Sequence, residues 1–495
     1  MSAAAPAAPP ARSAPPDGDG EALYGLVAEL YPLHRCLTGE GLRETLRRLD
    51  RVAPLTVHEV PTGTPMLDWT APPEWAVRAA WLEAPDGTRV VDMERDGPLA
   101  VVQYSRPVRL RAPLSSLRAH LHTLPERPHA IPYRTAYWAE TWGLCLPHAR
   151  LEALLARYGE DAEVEVVVDS RVFDGAMSYG ECVIPGETTD EVLISAHACH
   201  PALANDNAAS LAVAAFLARA LAEGPRRRYT YRFLFAPGTV GALAWLAANR
   251  EGVGRIRHGL VLANLGDRGS FTYKQTRRGT LDTPLAVDRA VAAALEGCVE
   301  IRPFDPFGYD ERQYGSPGFD LPVGRLTRTP HGEYPEYHTS DDNLALVSPE
   351  SLAESLDALL RVCDALESGK EREEGKERKE GQEISAADQL GTAPLSSPST
   401  LSFPSSPLFL NTQPYGEPQL GRRGLYEALG GPADTPAARQ ALMWVLNLSD
   451  GRHALADVAA RSGLPLDAVR AAADRLRAAD LLAPLDDAPD LCFPS

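Results

Sequence analysis

The sequence predicts an α/β fold in which a mostly parallel or mixed sheet is flanked by helices. The first observation is that strand-like and helix-like runs alternate from about residue 163, which is typical of a sheet covered by helices. The second is that the residues from about 57 to 108 form short segments in which apolar and polar residues alternate, separated by Pro-Asp-Gly and Asp-Gly turns. The third is the length of 495 residues, which is too great for one small core. We therefore expect a β-rich inserted domain and a further C-terminal domain.

The individual elements follow from the spacing of apolar residues. Between Ala22 and Leu49 the spacing is helical, and Gly39 and Gly41 divide it into two helices. Asn205 or Asp206 would cap a helix that begins at Asn207. In the α/β region we predict these elements: strand Glu163 to Asp169, strand Glu191 to Ala196, helix Asn207 to Ala220, strand Tyr229 to Phe235, helix Val240 to Asn249, strand Gly259 to Leu265.

Shifts of composition suggest the domain boundaries. The opening residues are rich in Pro and Ala, and the run after Ser368 is highly charged and then rich in Ser, Thr and Pro, so neither can bury a core. We expect a disordered arm (1–20), an α/β domain in two pieces (21–56 and 150–367), a β-rich insertion (57–149), a flexible linker (368–406) and a winged-helix-like domain (407–495).

The C-terminal domain resembles a helix-turn-helix. Three short helices are predicted over Thr435 to Leu448, Ala454 to Arg461 and Leu466 to Ala479, and the last two are joined by a Ser-Gly-Leu-Pro turn. The third helix could read DNA through Arg470, Arg475 and Arg477. From Leu420 onward, however, ten acidic residues oppose eight arginines, whereas a DNA-binding face shows a basic stripe. We therefore expect this domain to dock on the α/β domain or on a second subunit of a homo-oligomer.

Composition also limits the partners and the compartment. The net charge of −18 repels nucleic acid and anionic membranes. The seven cysteines are scattered and odd in number, which favours free thiols in a reducing cytoplasm. The opening residues lack the apolar core of a signal peptide, and no later run is long and apolar enough to span a bilayer. We expect a cytoplasmic protein that binds neither nucleic acid nor membrane.

Two distant segments carry the residues of a zinc site. His197, His200 and Asp206 fall between a predicted strand and the next helix, at the crevice where open α/β sheets bind ligands, and His338 lies beside Asp341 and Asp342. Imidazole and carboxylate are the ligands of hydrolytic zinc, which lowers the pKa of water and polarises a carbonyl group. Either His197 or His200 could face the metal while the other supports it or contacts substrate, and this choice stays open.

Several motifs, in order along the chain, resemble those of a bacterial aminopeptidase-like family. This family is related to the zinc exopeptidases, carries a small inserted domain and ends in a winged helix. The motifs are Leu30-Tyr-Pro-Leu-His-Arg-Cys-Leu-Thr-Gly39, His129-Ala-Ile-Pro-Tyr133, Trp142-Gly-Leu-Cys145, Ser195-Ala-His197-Ala-Cys-His200-Pro, Asn205-Asp206-Asn207, Phe235-Ala-Pro-Gly-Thr-Val-Gly241 and Gly332-Glu-Tyr-Pro-Glu-Tyr-His338-Thr-Ser-Asp-Asp.

The resemblance implies a zinc-exopeptidase-like sheet and a ligand set. A strand-end histidine, the aspartate after it and a late histidine map onto His197 or His200, Asp206 and His338. A Glu-Glu pair after a later strand would supply the base and a second ligand, but Gly238-Thr239 stands there. A further aspartate ligand is expected after the next strand, where only Asp267 is near. We therefore predict about one zinc per chain.

Because Gly238-Thr239 replaces the expected acidic pair, another carboxylate must act as the general base. Asp310, Glu311 and Glu336 are the candidates, with Arg312 or Tyr337 for the oxyanion or a substrate carboxylate. We predict a zinc-dependent amide hydrolase acting on a small aminoacyl or peptide conjugate of polysaccharide or secondary-metabolite biosynthesis. The alternative is a catalytically inactive metal-binding scaffold that docks a partner.

Overall fold

The structure is a computed structural model that describes residues 19–369, 408–425 and 436–485. The predicted arm and linker lie outside these residues, except for residues 19 and 20, which belong to the first helix, and residues 368 and 369. Among the described residues, no helix is long and apolar enough to cross a membrane.

Helices and strands alternate along most of the described chain. The helices are α1 (Asp19–Leu30), α2 (Glu40–Asp50), α3 (Met93–Asp96), α4 (Leu114–Leu117), α5 (His148–Tyr158), α6 (Ser210–Glu223), α7 (Val240–Ala248), α8 (Ala286–Ala294), α9 (Glu311–Tyr314), α10 (Pro349–Ser368), α11 (Pro436–Leu448), α12 (Leu455–Ser462) and α13 (Leu466–Ala478). The strands are β1 (Thr56–Pro61), β2 (Pro65–Met66), β3 (Trp69–Thr70), β4 (Glu74–Glu83), β5 (Arg89–Asp92), β6 (Val108–Pro113), β7 (Leu121–His122), β8 (Leu144–Cys145), β9 (Glu163–Phe173), β10 (Ala176–Ile184), β11 (Glu191–His197), β12 (Thr230–Ala236), β13 (Ile256–Leu262), β14 (Phe271–Lys274), β15 (Val299–Arg302), β16 (Val323–Thr327), β17 (Leu408–Asn411), β18 (Asp450–Ala454) and β19 (Leu482–Pro484).

The main sheet has eight strands in the order β1-β10-β12-β11-β13-β16-β14-β15. Its centre, β12-β11-β13-β16, is parallel, and β1 and β10 run antiparallel to their neighbours. At the other edge β14 pairs antiparallel with β16 and parallel with β15. Every residue of β11 is buried, because helices cover both faces of the sheet. The mixed α/β fold predicted from the alternating pattern is confirmed.

A smaller antiparallel sheet, β5-β4-β9-β6, forms the second layer of structure. The strand predicted over Glu163 to Asp169 is part of β9 and pairs with β4 and β6, so placing it in the main sheet was wrong. Val164, Val166 and Val168 are almost completely buried, and Val167 on the opposite face is buried as well, so this part of β9 is covered on both faces. Conversely, β1 belongs to the edge of the main sheet.

The C-terminal domain combines the three-stranded sheet β18-β17-β19 with α11, α12 and α13. Its hydrophobic core includes Phe304, which comes from the α/β domain. Arg277 of the α/β domain also donates to the carbonyl oxygen of Asn447 at 2.8 Å and forms an ion pair with Asp450 at 2.7 Å. The domain therefore packs against the α/β domain of the same chain.

Candidate active site

The candidate site lies at the carboxyl end of the central parallel strands. His197 is the last residue of β11, and the chain then passes through an irregular turn at Ala204–Ala209 before α6 begins. Asp206 and Asn207 have non-helical backbone angles in this turn. His338 comes from the loop before α10. This edge is where ligands bind in open α/β sheets.

Three imidazoles surround the carboxylate of Asp206. Its Oδ1 lies 2.8 Å from Nε2 of His197 and 3.9 Å from Nδ1 of His200, and its Oδ2 lies 3.0 Å from Nε2 of His338. Asp206 and His197 are fully buried. The structure thus brings together all four residues that the sequence analysis proposed as metal ligands.

The chemistry of this cluster suits a divalent cation. Ligand atoms of His197, His200 and Asp206 lie within 4.8 Å of one another. Oδ2 of Asp206 and Nε2 of His338 are buried and have no hydrogen-bond partner among the described residues, although they face each other. Burial opposes ionisation of Asp206, but the histidines hold its pKa well below the usual value, and burial lowers the pKa of His200 well below 6.5. An anionic carboxylate among imidazoles, with unsatisfied buried atoms, is what a bound zinc would complete.

The turn that carries Asp206 is held by side chains that the sequence analysis did not single out as supports. Asp342 accepts the backbone N–H of Asn205 at 2.6 Å and of Asp206 at 3.0 Å. The Asn205 side chain accepts the N–H of Gly266 and donates to Asp267. The proposed capping of α6 by Asn205 or Asp206 was wrong, because Ala209 is the N-cap residue and both side chains serve the site instead. The second Asp of the Thr-Ser-Asp-Asp motif was the available signal for Asp342.

Asp267 lies where the resemblance places a further ligand, but its carboxylate is engaged elsewhere. It accepts hydrogen bonds from Asn205 at 2.8 Å, from the Thr329 hydroxyl at 2.7 Å and from the N–H of Gly269 at 2.6 Å. The role of Asp267 in the described structure is therefore to connect the loops around the site.

Gly238 and Thr239 follow β12 directly beside the cluster. A Cβ atom placed on Gly238 would lie 3.5 Å from Cβ of His197, which is ordinary contact. The backbone N–H of Thr239 donates to Oδ1 of Asp310 at 2.5 Å. Asp310 is buried, and this burial raises its pKa to about 6. A carboxylate from another segment thus lies beside Gly238-Thr239, where the resemblance led us to expect an acidic pair.

The structure separates the other predicted catalytic acids from the cluster. Glu311 is buried between Lys274 at 2.6 Å and Arg325 at 3.3 Å. Although burial favours its neutral form, these two cations lower the pKa of Glu311 to about 2. Glu336 is half-buried, with the Arg127 guanidinium 3.9 Å away. Of the three candidates, Asp310 alone combines burial, a raised pKa and a position beside Gly238-Thr239.

The two predicted substrate-binding residues occupy different places. The Tyr337 ring stacks on His338, with centroids 3.9 Å apart. Arg312 forms an ion pair with Glu417 of the C-terminal domain at 3.1 Å. Tyr337 therefore lies beside the histidine cluster, whereas Arg312 contacts the C-terminal domain.

Aromatic rings that were not proposed from the sequence line the cluster. Tyr309 stacks on His197 with centroids 4.9 Å apart, and the Tyr133 ring meets His200 and His338 edge-on at 5.2 and 5.0 Å. The N–H of Tyr133 also donates to the carbonyl oxygen of His338 at 2.8 Å. The segment around Tyr133 therefore helps to position the late histidine.

Comparisons with known proteins assign the chain to a family. The model of a family described as a domain of unknown function, DUF4910, matches residues 24–369. The chain belongs to this family. A winged helix-turn-helix model matches residues 408–484, which confirms the predicted type of C-terminal domain.

Relatives of this DUF4910 protein place it among aminopeptidase-like folds. A Clostridium acetobutylicum protein, named for polysaccharide biosynthesis and an aminopeptidase-like domain, is 36% identical over 466 residues, which are 94% of this chain and 96% of the relative. A crystal structure of a peptidase from the same organism has a TM-score of 0.67 at 35% identity, covering 94% of this chain and 96% of that one. BSAP, a zinc aminopeptidase from Bacillus subtilis, has a TM-score of 0.52 at 14% identity, covering 71% and 95%. The resemblance to an aminopeptidase-like family with a winged helix is confirmed.

Proposed function

We propose that this chain is a zinc-dependent amide hydrolase whose metal is held by Asp206, His338 and at least one of His197 and His200. The observation that carries the proposal is the convergence of three imidazoles on the buried Asp206 carboxylate at the carboxyl edge of the sheet. The occupied carboxylate of Asp267 and the absence of acids at Gly238 and Thr239 favour about one zinc per chain. When bound, zinc would polarise the scissile carbonyl and make water more acidic.

The chain's own residues supply proton transfer and orientation. Asp310, beside Thr239, is the base that we assign, because its raised pKa and buried position suit a group that accepts a proton near neutral pH. Tyr337, against His338, would donate a hydrogen bond to the developing oxyanion. Arg312, which contacts the C-terminal domain, would bind a carboxylate of the substrate. Glu311 and Glu336 would support the site through their ion pairs rather than accept the proton.

The substrate that we propose is a small aminoacyl or peptide conjugate. The fold shared with zinc aminopeptidases supports amide chemistry, and the name of the Clostridium acetobutylicum relative supports a place in polysaccharide biosynthesis. The replacement of the acidic pair by Gly238-Thr239 favours the second candidate, a metal-binding scaffold without turnover.

One experiment separates the two candidates. The full-length protein would be incubated with a panel of N-aminoacyl amino sugars and dipeptides, and released amine would be measured by mass spectrometry. We expect turnover of at least one conjugate that a chelator abolishes and zinc restores, and that Asp206→Ala removes. Arg78→Ala, which changes an exposed surface side chain, is the control. Zinc-loaded protein that hydrolyses no member of the panel would support the scaffold.

A further inference from the structure

A large cavity lies at the contact between the α/β domain and the C-terminal domain, and residues of both line it. Its volume is about 860 Å³, which is in the range of pockets that enclose small-molecule ligands. One wall comes from α11 and the end of α12, including Trp444 and Arg461, and the opposite wall from residues such as Lys274 and Arg325. The winged-helix domain therefore forms part of a ligand-sized cavity.

The cavity lies next to the histidine cluster. Thr239 and His331 line it, and Thr239 is the residue that contacts Asp310. Tyr309 contacts both regions, because its ring meets the cavity residue His331 edge-on at 5.3 Å and stacks on His197 at 4.9 Å. A molecule in the cavity could thus extend past Thr239 toward the histidines.

The walls of the cavity are basic, although the chain has a net charge of −18. Among the described residues that line it, the acidic side chains Asp305, Glu333 and Glu417 face six basic ones. The basic residues are Lys274, Arg302, Arg312, Arg325, Arg439 and Arg461. An excess of positive charge in an acidic protein indicates an anionic ligand.

The excess remains after ion pairs are taken into account. Arg302 pairs with Glu300 and Glu333, and Arg312 pairs with Glu417. Lys274 and Arg325 share Glu311, and Asp305 accepts a hydrogen bond from Gln440. Within the described part of the chain, Arg439 and Arg461 have no carboxylate at salt-bridge distance. One net positive charge therefore remains when the paired carboxylates Glu300 and Glu311 are included with those of the lining. The two arginines without a carboxylate partner both belong to the winged-helix domain, and among the described residues Arg461 donates only to the carbonyl oxygen of Arg277.

The electrostatics of individual groups agree with a missing counter-charge. Burial lowers the pKa of Lys274 to about 8. Burial and the nearby Arg277 guanidinium lower the pKa of Arg461. Cations in such an environment are stabilised when an anion binds, and guanidinium groups bind phosphate and carboxylate with charge-assisted hydrogen bonds.

We propose that this cavity binds the anionic part of the substrate, a phosphate or carboxylate group, and that Arg439 and Arg461 of the winged-helix domain recognise it. The position of the scissile amide toward the histidines rests on the proposed function, but the binding of the anion does not. The winged-helix domain would then serve as a wall of the substrate site.

Binding to chelator-treated, full-length protein tests the proposal independently of hydrolysis. Calorimetric titrations would compare N-acetylglucosamine 6-phosphate with N-acetylglucosamine, and N-acetylglutamate with N-acetylglutamine. We expect the more highly charged member of at least one pair to bind about tenfold or more tightly, and the pair that responds identifies phosphate or carboxylate. Equal affinity within both pairs would overturn the proposal.

Matched variants assign the recognition to the two arginines. Arg439→Gln with Arg461→Gln should weaken binding of the preferred anion by about 10- to 100-fold, since charge-assisted hydrogen bonds are lost. Arg452→Gln with Arg470→Gln removes the same charge from the same domain outside the cavity and should leave the affinity unchanged. Equal losses in the two double variants would contradict the assignment. Anion binding by a protein that hydrolyses nothing would count against the proposed function alone.

Discussion

At the scale of single residues, Asp206 organises the candidate site. Its two carboxylate oxygens face different histidines, His197 through Oδ1 and His338 through Oδ2. The position of the carboxylate depends on Asp342, which binds the backbone of the same turn. Removal of Asp206 would therefore disconnect the histidines from each other as well as remove a ligand.

The assignment of Asp310 as the base predicts a pH dependence. The pKa of about 6 means that the carboxylate can accept a proton above pH 6 and is increasingly neutral below it. We expect kcat/KM on the responsive conjugate to fall about tenfold per pH unit below pH 6. The Asp310→Asn variant should lose about 10²- to 10⁴-fold in kcat at pH 7.5. A pH profile with no inflection near 6, or an active Asn variant, would contradict the assignment.

The same variant should remain folded. Because the folded-state pKa is raised, the stability contributed by Asp310 is greatest below the unfolded pKa near 4 and is lost as the pH rises through 6. A neutral Asn at pH 7.5 therefore removes an unfavourable charge and keeps an oxygen for the Thr239 N–H. A melting temperature equal to or above that of the unmodified protein would confirm that the loss of activity is chemical.

The residues Gly238 and Thr239 predict weak activity on ordinary aminopeptidase substrates. Neither can act as a base, and simple aminoacyl reporters lack the anionic group that we propose the cavity recognises, so Asp310 would act on them without the contact that positions the substrate. Their hydrolysis should therefore be low or absent, at about 10²- to 10⁴-fold below an acid-assisted rate. Chromogenic aminoacyl anilides with and without chelator provide the measurement. Robust turnover that the chelator abolishes would refute this prediction. It would show that another acid fully replaces the base that is missing at Gly238-Thr239.

At the scale of elements, the sequence predicted where strands and helices lie better than it predicted which strands pair with each other. Uninterrupted apolar runs such as β11 indicate a buried strand without reference to the rest of the chain. The pairing of β9 with β4 depends on contacts between residues distant in sequence, which a local pattern does not contain. The same holds for Asp310, because its proximity to Thr239 arises only when α9 packs beside α7. His197 and His200 were predictable because the first ends β11 and the second follows it by three residues.

The charge on α13 predicts that the winged helix does not bind DNA. Arg470 is exposed but lies 3.4 Å from Asp467, and Asp474 is exposed nearby, so the helix offers no continuous basic stripe. We expect no gel shift of a random duplex by micromolar full-length protein at physiological salt. Binding that weakens steeply as salt is raised would contradict this expectation and favour a regulatory role.

At the scale of the whole molecule, the C-terminal domain is attached to the α/β domain through buried polar contacts. Arg277, which is 4% exposed, pairs with Asp450 and hydrogen-bonds to Asn447. Trp69 also donates to the carbonyl oxygen of Glu417 at 2.7 Å. These contacts predict that the two domains unfold together.

Substitution of Arg277 tests this coupling. Arg277→Ala would leave Asp450 buried without its guanidinium partner, and we expect a loss of about 3–5 kcal/mol in the free energy of unfolding. Arg78→Ala, which breaks an exposed pair with Asp169, should cost less than about 1 kcal/mol. Denaturant unfolding followed by tryptophan fluorescence gives both values. Equal costs for the two variants would mean that the domain contact contributes little.

The zinc content of the purified protein tests the central claim most directly. Imidazole and carboxylate ligands at the edge of the sheet predict about one zinc per chain in gently purified protein. Elemental analysis would compare this protein with an Asp206→Ala, His338→Ala double variant whose folding is verified by circular dichroism. We predict that the double variant contains almost no zinc. Equal zinc in the two proteins would contradict the metal site and the hydrolytic function that depends on it.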